Sequence, residues 1–331
     1  MWNKEAAESV SARTAPAGYG RRGTKSEQGG RHMATDYAAL KKGGWMRQKQ
    51  KNRFALRVHV VGGHLTDEQM KVISEVAKKY GEGYVHLTAR QSLEIPWIRL
   101  EDIEEVKEAL AKGGVTPSVC GPRVRTTTAC QGNRTCPSAC IDTYALAQEI
   151  DARYFARELP GKFKFGVTGC RNNCLKTEEN DFGIKGAEKV TWKQETCIGC
   201  GVCVKACREG AITLKDGKIS IDSGKCTYCG RCEKACPTGS FEAEEGYLLS
   251  FGGLFGNHIH RGAELLPFVS SRETLFRIAD YVVQFFDDNA EPGDRLQFTI
   301  DRVGQERFSQ VVWDAFEGRP YNGDFTHKDK P

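Results

Sequence analysis

Cys130-Gln131-Gly132-Asn133-Arg134-Thr135-Cys136 and Cys170-Arg171-Asn172-Asn173-Cys174 are the stretches around which the chain is organised. Between them lies Lys162-Phe163-Lys164. The first cysteine pair is spaced C-x5-C and the second C-x3-C. Neither spacing suits a zinc finger, whose cysteine pairs sit closer and recur with histidines. Four thiolates can hold one cubane iron–sulfur cluster. Lys162 and Lys164 stand two apart on extended chain and so point to one face. Paired ammonium groups there repel unless they share an anion, although a solvated strand edge would carry the same pair.

The surrounding residues, Thr128-Ala129-Cys130-Gln131-Gly132 and Gly169-Cys170-x-Asn172-Asn173-Cys174, resemble those of the siroheme nitrite and sulfite reductase family. The resemblance covers about residues 50 to 331. It implies that Cys130, Cys136, Cys170 and Cys174 hold a [4Fe–4S] cluster, with Cys174 also bridging to the siroheme iron. Arg171 stands where the family usually has Pro. The family's sulfite reductases carry Lys-x-Lys on the substrate side of the siroheme, and its nitrite reductases tend to have Asn at the second position. Lys162 and Lys164 are therefore similar to a sulfite-binding pair. Arg90 and Arg125 match two further anion ligands of the family. Positive charge fixed in a dry pocket stabilises developing oxyanions strongly. Siroheme carries many carboxylates, and Arg123, Arg134 and Arg171 flank the cluster ligands, so they are candidates to meet them. Structural salt bridges would use the same three residues equally well.

The 331 residues suffice for a large core and more than one structural unit. No apolar run approaches the roughly eighteen residues of a spanning helix. The N-terminus lacks the apolar core of a secretory signal. Fourteen cysteines in such a chain point to metal ligation rather than disulfides, and to the cytoplasm. The net charge of +5 is too small an excess for a nucleic-acid binder, and suits an anionic cofactor, an anionic substrate or an acidic electron carrier. Neither nucleic acid nor a membrane is an expected partner.

Residues 1–45, rich in Gly, Ser, Arg and Lys, read as a disordered basic tail. Residues 46–115 alternate as strand, helix, strand, strand, helix, with Thr66 as a helix N-cap, and make most of an α+β ferredoxin-like half-domain. Thr88-Ala89-Arg90-Gln91-Ser92 is similar to a turn the family places there. Residues 116–189 are the first part of the siroheme and cluster domain. There the pattern predicts a helix over 137–157 and strands over 162–167 and 181–185. Residues 243–331 are its second part, with helices expected over 273–286 and within 298–316.

Residues 190–242 interrupt that domain. Cys197, Cys200, Cys203 and Cys207 repeat the spacing of Cys226, Cys229, Cys232 and Cys236, which Pro237 follows. This is the run of a bacterial two-cluster ferredoxin, in which each fourth cysteine crosses to the other cluster. Cys197, Cys200, Cys203 and Cys236 would share one cubane, and Cys226, Cys229, Cys232 and Cys207 the other. The first run ends in Arg208 where the second has Pro237. Cys120 and Cys140 are left over and read as small packed residues. His258 and His260 read as structural rather than cofactor-binding.

The fold class is therefore α+β: a ferredoxin-like half-domain and a siroheme/[4Fe–4S] domain with an inserted two-cluster module. The resemblance implies reduction of sulfite to sulfide by six electrons, with siroheme and three [4Fe–4S] clusters as cofactors. Nitrite reduction to ammonium and a non-catalytic siroheme or electron-transfer subunit are the alternatives. No Gly-rich dinucleotide fingerprint follows a strand, so electrons come from an external ferredoxin, flavin or iron–sulfur donor. The family has two copies of the strand-and-helix unit and this chain has one. A homodimer, or a pairing with a related chain, would bring one chain's Cys174 to face the other's Arg90, Arg125, Lys162 and Lys164.

Overall fold

The computed structural model describes residues 35–322. The expected tail ends earlier than composition suggested: α1 (Tyr37–Lys42) and β1 (Trp45–Arg47) are formed. Trp45 explains this, since it is 2% exposed and enters a core with Phe54 and Leu56. One buried aromatic outweighs the glycine and lysine around it. The rest of that expected tail, residues 1–34, lies outside the described residues.

After β1 come β2 (Arg53–Arg57), α2 (Asp67–Tyr80), β3 (His86–Leu87), β4 (Leu93–Arg99) and α3 (Ile103–Lys112). The strands form one antiparallel sheet in the order β1-β2-β4-β3. Thr66 caps α2 as expected: its hydroxyl accepts the Gln69 N–H at 3.2 Å, and the Gln69 side chain accepts the Thr66 N–H at 3.0 Å. This reciprocal pair satisfies two donors that a helix start leaves free. Both helices bury one face on the sheet, α2 with Ile73, Val76 and Ala77 and α3 with Ile103, Val106 and Leu110.

The second sheet is built on β5 (Thr128–Ala129), α4 (Thr143–Tyr154), β6 (Phe165–Thr168) and β7 (Phe182–Trp192). It is completed across α5 (Val202–Ala206), β8 (Ile212–Lys215), β9 (Lys218–Ile221) and α6 (Arg231–Lys234) by β10 (Phe241–Phe251). Its order is β10-β7-β6-β5, with β5, β6 and β7 parallel and β10 antiparallel. The strands β7 and β10 pair along their whole length, from Phe182↔Phe251 to Trp192↔Phe241. Residues 193–240 therefore leave and return at the ends of two adjacent strands.

Two short strands, β11 (Leu254–Phe255) and β12 (Ile259–His260), then lead to α7 (Arg272–Asn289), α8 (Leu296–Val303) and α9 (Gln305–Glu317). These helices close a phenylalanine core. Phe163, Phe165, Phe182, Phe251, Phe285, Phe286 and Phe308 are each 1% exposed or less. The Phe165 and Phe182 rings lie 5.4 Å apart and those of Phe285 and Phe308 5.1 Å apart. Burial of each such ring is worth roughly 1.5–3 kcal/mol.

The helix expected over 137–157 is shorter, because Asp142 starts it. Its carboxylate accepts the Ala145 N–H at 3.0 Å. The stretch before it is a loop that fixes the first cysteine pair. The Cys136 N–H reaches the Gly132 carbonyl at 2.8 Å, and the Cys140 N–H reaches the Gly169 carbonyl at 2.7 Å. Gly132 has φ 70°, and a Cβ there would stand 2.5 Å from Thr143 Oγ1, so the loop requires glycine. Lys162–Lys164 precede β6, but Phe163 bonds like a strand residue: its N–H reaches Arg123 O at 3.1 Å and its carbonyl accepts the Arg125 N–H at 2.9 Å.

Candidate active site and cluster sites

Arg90 sits in the turn between β3 and β4. The Thr88 N–H donates to Ser92 O at 2.9 Å, and the Gln91 amide ties the turn to β5, giving and receiving bonds of 2.8 Å with Ala129. Ala129 immediately precedes Cys130, so this turn and the first cysteine share one support. The Arg90 guanidinium donates to Asn180 Oδ1 and to Thr126 O, both at 3.0 Å. Arg125 donates to Val119 O at 3.1 Å and to Gly121 O at 3.0 Å.

Arg90, Arg125, Lys162 and Lys164 line one cavity of about 280 Å³, with Thr88, Ser92 and Ser118. Phe163 points inward between the two lysines and is fully buried, so both ammonium stems turn to the cavity side. Burial holds Arg90 down to about 10, with Arg125 and Arg295 adding to the fall and Asp181 opposing it. Lys164 is held down to about 8, by burial first, then by Arg90 and Arg295, again against Asp181. Burial, with Arg295 and Arg125, also lowers Lys162. Crowded cations in a partly dry site shed a proton more readily than in water.

The cavity holds a fifth cation that the sequence reading did not single out. Arg57, at the end of β2, lines it and donates to Glu94 Oε1 at 2.6 Å and to Cys120 Sγ at 3.2 Å. Its alternating position on the strand was the only signal. The pair beneath the lysines was missed as well. Asp181 is fully buried and accepts Arg295 Nη2 at 2.8 Å, Arg295 Nε at 3.0 Å and the Lys164 N–H at 2.9 Å.

The first four cysteines converge. Burial pushes the Cys170 thiol up, an Asn172 N–H pulls it down, and the charges of Cys136, Cys130 and Cys174 push it up again. The Gly169 N–H donates to Cys130 Sγ at 3.0 Å. In the inserted segment, Cys197 and Cys200 act on Cys203, and Cys229 and Cys226 on Cys232, which burial pushes up to about 12. Cys207 lines one small void together with Cys226, Cys229 and Cys232. The two runs end alike: Cys207 Sγ accepts the Ala211 N–H and Cys236 Sγ the Ser240 N–H, both at 3.3 Å. Cys203, Cys207, Cys232 and Cys236 share one small core with Ile212 and Phe241. Among the described residues, no three Cys, His, Asp or Glu side chains gather closely enough for a single metal ion.

The segment docks on the host near Cys136 and Cys170. The Glu188 N–H donates to Tyr228 O at 2.7 Å, and Lys234 reaches Glu188 and Ala139 O, each at 3.1 Å. Gly230 has φ 68°, and a Cβ there would stand 1.5 Å from Glu188 Oε2. Cys170 and Cys229 line a cavity of about 560 Å³ between the two parts.

The arginines proposed to meet siroheme carboxylates each hold a different protein carboxylate. Arg123 pairs with Glu158, Arg134 with Asp142 at 2.6 Å and Arg171 with Glu264 at 3.1 Å. His260 bonds to Gly252 O at 3.1 Å and His258 packs on Phe298. Cys120 and Cys140 are buried. No helix among the described residues is long and apolar enough to cross a membrane.

Comparison with known proteins agrees with this architecture. The nitrite/sulfite reductase ferredoxin-like half domain matches residues 46–113, and the nitrite and sulphite reductase 4Fe-4S domain matches residues 120–319. The coenzyme F420-dependent sulfite reductase of Methanocaldococcus jannaschii is 36% identical over 255 residues, 76% of this chain and 40% of that protein. A subunit of the anaerobic sulfite reductase of Salmonella typhimurium is 35% identical over 187 residues, 51% of this chain and 55% of that protein. The chain thus spans about half the length of these relatives. In fold it is similar to dissimilatory sulfite reductase I, with a TM-score of 0.65 at 20% identity over 84% of this chain and 72% of that one. Two contiguous domain matches, the cysteine loops and the cavity of arginine and lysine lead to one conclusion: the chain belongs to the nitrite and sulfite reductase family.

Proposed function

We propose that this chain is the siroheme-bearing part of a sulfite reductase that takes sulfite to sulfide with six electrons. The observation that carries this reading is that Arg90, Arg125, Lys162 and Lys164 line one cavity. Sulfite is a small dianion with three oxygens to lose as water. Arg90 and Arg125, fixed by backbone and side-chain bonds, orient and neutralise it. Lys164, held down to about 8, is largely charged at neutral pH and gives up a proton at little cost. Lys162 stands beside it as a second donor. Siroheme with its coupled cluster, when bound, supplies the electrons to sulfur.

Three cluster sites are assigned to the cysteines: Cys130, Cys136, Cys170 and Cys174; Cys197, Cys200, Cys203 and Cys236; and Cys226, Cys229, Cys232 and Cys207. The void shared by Cys207, Cys226, Cys229 and Cys232 supports the crossing. Cys174, exposed at the end of its loop, would be the cysteine of this set that also meets the siroheme.

Among the described residues, no cysteine lines the cation cavity. The exposed apolar face beside the cavity supports a site completed by a second copy of the chain or by a related chain. An apolar groove with Met70, Tyr84 and Leu87 shares Thr88 and Ser92 with the cavity, and Leu87 is 75% exposed. A partner covering that groove would lie over the cations. Electrons reach the chain in the cytoplasm from an external ferredoxin, flavin or iron–sulfur donor. Turnover of sulfite and nitrite with reduced methyl viologen tests the reading. Faster sulfite turnover supports it; a preference for nitrite would make the chain a nitrite reductase, and no turnover of either by siroheme-loaded protein together with the chain that completes its site would make it an electron-transfer subunit.

A further inference from the structure

The cavity between the inserted segment and the cysteine loop is lined by Arg171, Lys205, Arg208, Arg231 and Lys234 and, among the described residues, by no carboxylate. Two of these cations are neutralised nearby, Arg171 by Glu264 and Lys234 by Glu188, both at 3.1 Å. Among the described residues Lys205, Arg208 and Arg231 have no such ion pair. Cys170 opens on the cavity from one side and Cys229 from the other. The cavity therefore separates the cluster site of the C-x3-C loop from that of the second run. The repeat is asymmetric here: Pro237 follows its last cysteine in the second run, whereas Arg208 follows it in the first and lines the cavity.

Unpaired cations facing one another cost energy unless something negative stands nearby. A cubane on four thiolates is negative, and each electron it accepts adds a further negative charge. Cations beside it favour the reduced form, and net charge and surroundings are what set such potentials. Among the described residues no cysteine of the other set, Cys197, Cys200, Cys203 and Cys236, lines this cavity, and Cys200 with its neighbour Ile198, 68% exposed, lies at the surface on that set's side.

We infer that Lys205, Arg208 and Arg231 raise the reduction potentials of the two clusters flanking this cavity, making electron flow inward from the exposed set downhill. The inference rests on the cluster assignment above. Lys205 and Arg208 are exposed, so the effect is screened by salt and is shared among several charges.

The test is a redox titration of the full chain followed by electron paramagnetic resonance, after iron analysis of each variant. In Lys205→Gln/Arg208→Gln the reduced-to-oxidised ratio of the cavity-facing clusters falls three- to tenfold at a fixed low-salt poise. Arg208→Lys keeps the wild-type ratio, and added salt narrows the gap between wild type and the double variant. Arg231→Gln provides the same readout should the double variant lose iron. Wild type that binds no iron would overturn the cluster assignment and this inference with it. Iron-loaded variants whose ratio stays within twofold of wild type would overturn the inference alone.

Discussion

Asp181 and Arg295, 114 residues apart, form a buried ion pair directly beneath the lysine pair, with Nη2 2.8 Å from Oδ2. Asp181 also accepts the Lys164 backbone N–H, so one carboxylate fixes both the C-terminal helices and the extended segment that carries the candidate proton donors. Breaking such a pair leaves a bare charge in the core and costs about 3–5 kcal/mol. Arg295→Met is therefore expected to lose stability of that order in chemical denaturation, and to bind sulfite more weakly because Lys162–Lys164 lose their support. Unchanged stability would mean that Asp181 is satisfied by its other donors.

Lys164→Asn removes one cation of the cavity and leaves Arg57, Arg90, Arg125 and Lys162. Sulfite has more charge and more oxygens to protonate than nitrite. Sulfite turnover is expected to fall by about a hundredfold, the lower end of the range for losing one fixed donor to a developing oxyanion, and nitrite turnover by less. Equal losses would show that Lys164 does not discriminate.

The pH dependence has a defined sign. Lysine is charged when protonated, and Lys164 is held down to about 8 from 10.5. Its attraction for an anion is full below pH 8 and fades as pH rises through that value. Sulfite affinity, followed by the optical change of the siroheme, should fall on that limb. Lys164→Arg should carry the fall to higher pH, since arginine does not titrate there. The folded chain binds this proton less tightly than the unfolded one. The same group therefore destabilises the fold below about pH 8, and that penalty is relieved as pH rises toward 10.5.

Three clusters and one siroheme per chain are expected on iron analysis of anaerobically purified protein. Cys207→Ser should remove the same paramagnetic signal as Cys226→Ser, although Cys207 belongs to the other run. A signal shared instead with Cys197→Ser would overturn the crossing.

Shared sites predict complementation. A Cys174→Ser chain mixed with a Lys162→Ala/Lys164→Ala chain forms mixed dimers with one intact site and one doubly damaged site. Part of the activity should return on mixing. No recovery, or a protein that sediments as a monomer, would place each site within a single chain.

Much of this was legible in the sequence because it is local. The Thr66–Gln69 cap, the cysteine spacings and the period of α2 and α3 each lie within a few residues of chain. The four cations were found through motif context and meet in one cavity. What escaped depends on distance along the chain or on a single packed side chain. Arg295 reaches Asp181 across most of the second domain, with no spacing to announce it. Trp45 draws residues 37–47 into the fold against a composition that reads as tail. Asp142, rather than Pro137, starts α4, because the intervening residues are committed to positioning Cys136 and Cys140. The carboxylate partners of Arg123, Arg134 and Arg171 stand 35, 8 and 93 residues away, separations that no local spacing marks.

The strands β7 and β10 stay in register up to Trp192 and Phe241, so residues 193–240 begin and end across one strand spacing, about 5 Å. A tight two-residue turn bridges that gap. The strand ends are thus close enough to be joined directly, and Val190, Trp192 and Phe241 at those ends pack into the segment's core. Host and segment are also tied together by a patch of Glu188, Gly230 and Lys234, by Lys234 on Ala139 O and by Tyr228 against Phe268. A different segment in this place would have to match its host at each of these points.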